Sequence, residues 1–211
     1  MNVFDLIFIG LFLSTILYLV RIGWLAVRGR RATAIKHLKR LGLGFGGYFA
    51  IVMAVGLLSP RRTLGAEEIL RYDDWCLIVE KAVTMGRIGE LQAAPDRMFV
   101  AVTLRVSSEA RRVRQAAPKG SLVFLLDGSG QRYDVSLGGQ AAFEKMNGLQ
   151  PELTRKLDPQ TSFLTIRIFD VRSNATRLAL AHRHGSGFPF PGAFIIGEGF
   201  RKPPVILLSL Q

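Results

Sequence analysis

Two membrane-spanning helices closed into a hairpin, followed by an all-β antiparallel sandwich, is the architecture that the sequence predicts. Three observations predict it: two long apolar runs within residues 1–59, a basic stretch between them, and short alternating segments separated by turn residues from Asp74 onward. Charge is divided the same way. Residues 1–59 hold seven Lys and Arg against the single acid Asp5, whereas residues 60–211 hold 21 against 15. The net charge of +12 is therefore concentrated at the N-terminal end, and the 49% apolar content reflects two unlike parts rather than one uniform domain.

The first run, "VFDLIFIGLFLSTILYLV" (Val3–Val20), carries only Asp5, near its outer end. It has room to continue to Val27 with Arg21 snorkelling toward headgroups. The second, "LGLGFGGYFAIVMAVGLLS" (Leu41–Ser59), carries no charge. About 18–20 apolar residues rising ~1.5 Å each cross a hydrocarbon core of roughly 30 Å, and both runs meet that length. Buried core helices this long carry a polar stripe, and these do not. Tyr18, Trp24 and Tyr48 lie near the ends, as interfacial aromatics do. The acidic start "MNVFD" and the lack of a small-x-small cleavage site argue against a cleaved signal peptide, so the first helix is expected to stay.

Gly42, Gly44 and Gly47 spell G-x-G-x-x-G, but a dinucleotide turn needs a preceding strand inside a βαβ unit, and here an apolar helix encloses the motif. No cofactor is expected. Gly42 and Gly46 are read instead as a small-x-x-x-small pair that lets a partner helix approach closely, the first helix being the expected partner and a second copy the weaker option.

Residues 21–40 are expected to form a basic cytoplasmic loop, with Arg28, Arg30, Arg31, Lys36, Lys39 and Arg40 as its topology determinants. Its segment "RRATAIKHLKR" has the makings of a short amphipathic helix on anionic headgroups. Held inside, the loop sends both termini and everything after Pro60 out of the cytoplasm, with the bacterial inner membrane as the expected location. The lipid bilayer is then the first partner and another membrane or envelope protein a candidate second. A clamped loop of about twenty residues offers only phosphate attraction, so no specific nucleic acid is expected.

Residues 60–73 read as a linker, with "EEILRYDD" as a tether. Strands are expected at 74–85, at 97–106 and at 121–127 with 131–136, joined by the Asp127-Gly128 hairpin signal, then at 161–171, 177–183 and 204–210. In the second of these, Val100, Val102, Leu104 and Val106 share one face. Leu164, Ile166 and Ile168 fall on one face of 161–171, and Leu178 and Leu180 are in phase along 177–183. The only helical piece is 138–148. Strands without alternating long helices predict a two-sheet sandwich over 74–211.

The segments "WCLIVEKA", "MFVAVTLRV", "LLDGSGQRYDVS" and "LDPQTSFLTIRIFDV", behind a hydrophobic anchor, together resemble the immunoglobulin-like sandwich domains of uncharacterised bacterial surface and membrane-anchored proteins. The resemblance covers about residues 70–210. It implies a non-catalytic extracytoplasmic binding, scaffolding or accessory module and names no ligand.

The competing reading is a membrane-bound metal-dependent or hydrolytic enzyme using His182 and His184, whose i,i+2 spacing suits zinc. Both share the side of Leu178 and Leu180, so residues at the core margin are the plainer reading and no metal site is expected. Cys76, the one cysteine, precludes an intramolecular disulfide and sits in an apolar run, where a buried inert thiol is expected. The loop "HRHGSGFPFPGAFIIGEGF" carries Phe188, Phe190, Phe194 and Phe200. These either fold back over the open end of the core or present a contact surface, fold-back being favoured.

Overall fold

The computed structural model describes residues 3–65, 68–72, 74–117, 120–183, 195 and 202–211. They divide into a helical unit and a β unit. In the helical unit α1 (Val3–Val27) and α2 (Arg31–Leu58) form an antiparallel pair. The basic stretch expected as a loop over 21–40 is helical apart from Arg28–Arg30. Its Ala, Leu, Lys and Arg residues are strong helix formers, and only Gly29 interrupts them. Gly29 adopts φ +79, its N–H donates to Ala26 O and the Arg30 N–H donates to Leu25 O, the Schellman closure that a left-handed glycine permits.

Arg28 lies 4.5 Å above the Trp24 ring. Across the pair, the Tyr18 hydroxyl meets His37 Nδ1 at 2.6 Å. Gly42 and Gly46 do not seat α1 as expected. A Cβ built at either meets nothing within 4 Å, so this face of α2 stays open among the described residues.

The β unit is a sandwich. One sheet has the order β2 (Leu70–Tyr72), β3 (Trp75–Met85), β6 (Arg97–Ser108), β9 (Ser162–Arg172), all antiparallel. The other runs β1 (Thr63–Leu64), β11 (Val205–Leu207), β10 (Ala179–Arg183), β7 (Leu122–Leu126), β8 (Arg132–Tyr133), with β1 parallel to β11 and the rest antiparallel. A two-residue pair, β4 (Arg87–Ile88) and β5 (Leu91–Gln92), lies between β3 and β6 in the chain. The segment 60–73, expected as a linker, thus contributes a strand to each sheet.

Alternation builds the core. Leu77, Val79, Val100, Val102, Leu104 and Val106 of one sheet pack with Val123, Leu125, Leu178, Leu180 and Ile206 of the other. The β3–β6 ladder slips once at Glu80, between Val79 and Lys81, and then brings Ala82 onto the core face.

In β9 the face of Leu164, Ile166 and Ile168 is not the one that enters the core. Phe163, Phe169 and Val171 enter the core, while Ile166 and Ile168 join Phe99, Ala101 and Ile88 on the outer face. That face is covered by Ala142 and Phe143 of α3 (Leu137–Asn147). Leu164 is exposed. Helix α3 begins at Ser136, whose Oγ accepts the Gly139 N–H at 3.1 Å. Gly139 lets the helix close down, since a Cβ there would lie 2.8 Å from Ile168 Cγ2.

Strand β9 is the edge of its sheet, and two glutamines finish it. The Gln140 amide donates to Ile166 O at 3.1 Å and accepts from Ile168 N at 3.0 Å, and Gln150 Oε1 accepts from Ile166 N at 3.1 Å. Gln140 therefore stands in for a neighbouring strand and blocks edge pairing. Gln140→Ala is expected to cost about 1–2 kcal/mol in denaturant unfolding, because it leaves two partly buried backbone groups without their partner.

Candidate functional site

Among the described residues the β unit carries a polar cleft of about 330 Å³ lined by charged side chains. A second polar cleft, of about 640 Å³, lies at Asp74, Glu109, Arg111 and Arg112. The first gathers three arginines. Register assembles it: Arg97 opens β6 opposite Arg172 at the end of β9, and the β7–β8 hairpin brings Arg132, Tyr133 and Asp134 alongside. Arg97 Nε donates to Asp170 Oδ1 at 2.7 Å and its Nη2 to Asp170 O at 2.7 Å. Arg132 Nε donates to Asp134 Oδ1 at 2.9 Å, and its guanidinium lies 4.2 Å from the Phe124 ring centroid. Arg172 lines the cleft and forms no ion pair among the described residues. Three guanidiniums against two carboxylates leave the cleft cationic, suited to an anionic or hydrogen-bond-accepting group. Its hydroxyls are committed: Ser136 Oγ caps α3 and the Tyr133 hydroxyl donates to Asp127 Oδ2 at 2.9 Å.

Asp127 holds the neighbouring turn. Its Oδ1 accepts from Ser129 Oγ at 2.6 Å, Ser129 N at 2.9 Å and Gln131 N at 2.9 Å. The Ser129 hydroxyl foremost, with Tyr133 and the two backbone N–H groups, holds this carboxyl down at about 2. An unfolded Asp titrates near about 3.9, so the stabilisation is complete above that pH and is lost as pH falls toward about 2. Asp127→Asn is expected to lower the melting temperature at neutral pH and to flatten its acid dependence across that window, as read by thermal scans against pH.

His182, from the competing reading, lies inside the sandwich and is 1% exposed. Its ring sits 4.9 Å from Tyr72 and 5.2 Å from Trp75. Burial pushes the Tyr72 hydroxyl up to about 12, which keeps the enclosed cluster uncharged on the tyrosine side. No group of three or more His, Cys, Asp or Glu suited to a metal occurs among the described residues. His184, Phe188, Phe190, Phe194 and Phe200 lie outside the described residues. Cys76 is buried, and burial together with the Glu109 carboxylate pushes its thiol pKa up.

Of the basic residues singled out above, Arg28 and Arg30 sit in the turn, and Arg31, Lys36, Lys39 and Arg40 on the first turns of α2, all exposed. The arginine cleft was not anticipated from sequence. Its members lie up to 75 positions apart, and only strand register unites them.

No protein-family model matches the sequence, and no curated protein matches it. Among solved structures the chain is similar to a conserved hypothetical protein from Bacillus anthracis, at 11% identity over 56% of this chain and 89% of that one, with a TM-score of 0.45. It is also similar to an uncharacterised β-sandwich protein from Clostridium difficile, at 9% identity over 72% of this chain and 97% of that one, with a TM-score of 0.42. A third similar structure is the secreted protein MPT63 from Mycobacterium tuberculosis, at 14% identity over 72% of this chain and 98% of that one, with a TM-score of 0.44.

Proposed function

We propose that the chain is an integral protein of a bacterial inner membrane whose β-sandwich acts outside the cytoplasm as a non-catalytic binding or accessory module. The observation that carries this reading is that α1 and α2 are apolar and yet open. In their most apolar windows only 6% and 11% of residues are buried. Leu17, Val20, Leu43 and Leu58 expose most of their surface, which water disfavours and hydrocarbon accepts. The turn between the helices is basic and the sandwich strands belong to a separate unit, which supports an inside turn and an outside sandwich.

The strand order supports an immunoglobulin-like sandwich. In this reading β3, β6 and β9 correspond to A, B and E, and β11, β10, β7 and β8 to G, F, C and C′, with α3 in the chain between C′ and E. The cationic cleft supports contact with an acidic group on a membrane or envelope partner. Under alkaline carbonate extraction the full-length chain is expected to remain with the membrane pellet and to dissolve only in detergent. Release into the supernatant, or recovery of a shortened soluble chain, would overturn the reading.

A further inference from the structure

Between α1 and α2 runs a groove of about 550 Å³. Its walls are Phe8, Leu11, Phe12, Ile16, Leu41 and Phe45, and its end nearest the turn carries Tyr18 and Arg40. Glycine forms part of the α2 wall: Gly44 lines the groove, and a Cβ built there meets nothing within 4 Å. From Phe8 to Tyr18 the helix rises about 15 Å, the depth of one leaflet of a hydrocarbon core of roughly 30 Å.

The two ends differ in charge. Arg28, Arg30, Arg31, Lys36, Lys39 and Arg40 gather at the turn end, and the only acid within residues 1–59 is Asp5, toward the opposite end. The cations at the turn end thus have no carboxylate of their own helices to answer them. A guanidinium at the mouth of an apolar slot one leaflet deep matches an amphiphile with an anionic head and a hydrocarbon tail.

We propose that this groove binds one anionic phospholipid from the leaflet on the side of the Arg28–Arg30 turn. The phosphate rests on Arg40 and an acyl chain lies along Phe8, Phe12 and Phe45. The proposal rests on the membrane reading above.

The test is native mass spectrometry of the full chain, purified in mild detergent with equal phosphatidylglycerol and phosphatidylcholine. A monomer retaining one phosphatidylglycerol is expected. Arg40→Gln is expected to reduce the retained fraction about tenfold, as loss of one charge-assisted contact does, with Arg40→Lys restoring part of it. Gly44→Leu, which fills the groove without altering charge, is expected to abolish retention. Equal retention of both lipids, or retention indifferent to Arg40→Gln and Gly44→Leu, overturns the proposal. A lipid-free dimer overturns it in favour of a second copy in the groove. In each of these outcomes the chain is still recovered from membranes, whereas recovery from the aqueous fraction defeats the membrane reading itself.

Discussion

Phe169→Ala is expected to destabilise the sandwich by about 3–5 kcal/mol, the range for truncating a large buried aromatic. Phe169 is fully buried in the centre of the core, opposite Val100 in the β6–β9 ladder. Neighbours on both sheets have little freedom to collapse into the space left behind. For a domain of this size the loss corresponds to a fall in melting temperature of roughly 10 °C. Leu164→Ala, on the same strand, is the control. Leu164 is 48% exposed and is expected to cost well under about 1 kcal/mol. Chemical denaturation of the two variants tests whether Phe169 is a core residue and Leu164 is not. Comparable losses would mean that the core is not where the ladder puts it.

That comparison marks the limit of what periodicity reveals. Strand β6 was legible because its faces differ in kind, with valines and leucine alternating against Thr103 and Arg105. The hairpin at Asp127-Gly128 was legible because its turn chemistry is local. Strand β9 is apolar on both faces, one for the opposite sheet and one for α3, so alternation identifies the strand without telling which face is inward. Strands β1 and β2 are two and three residues long, too short for any period, and their pairing with β11 and β3 is a long-range fact. In the helical unit, positive charge located the turn but exaggerated its length. Only Gly29 has the backbone a reversal demands, and the flanking cations are good helix formers. The arginine cleft was illegible for the same reason as β1, because Arg97, Arg132 and Arg172 meet only through register.

Replacing Arg28, Arg30, Arg31, Lys36, Lys39 and Arg40 together by Gln is expected to invert or mix the orientation of the chain. These six side chains cluster at one end of the helical pair and are all exposed. Keeping such a cluster on the cytoplasmic side directs the helices that flank it. Without it, Arg61, Arg62 and Arg71, after the second helix, become the larger basic group beside Arg21. The sandwich is then expected to be held inside in a large share of molecules, whereas single substitutions among the six should change little. Protease protection in sealed vesicles reads the ratio directly. An unchanged orientation in the sixfold variant would show that charge does not set the topology.

Cysteine accessibility in intact bacterial cells tests the central claim most directly. The native Cys76 is buried and its thiol pKa is raised, so it serves as a silent background for introduced thiols. Lys145→Cys places a thiol on the exposed side of α3, and Arg30→Cys places one in the helical turn. With a membrane-impermeant maleimide, Lys145→Cys is expected to label in intact cells once the outer envelope is opened, and Arg30→Cys only after the inner membrane is permeabilised. Labelling of both sites, or of neither, before permeabilisation would contradict the account of a basic inside turn and an outside sandwich.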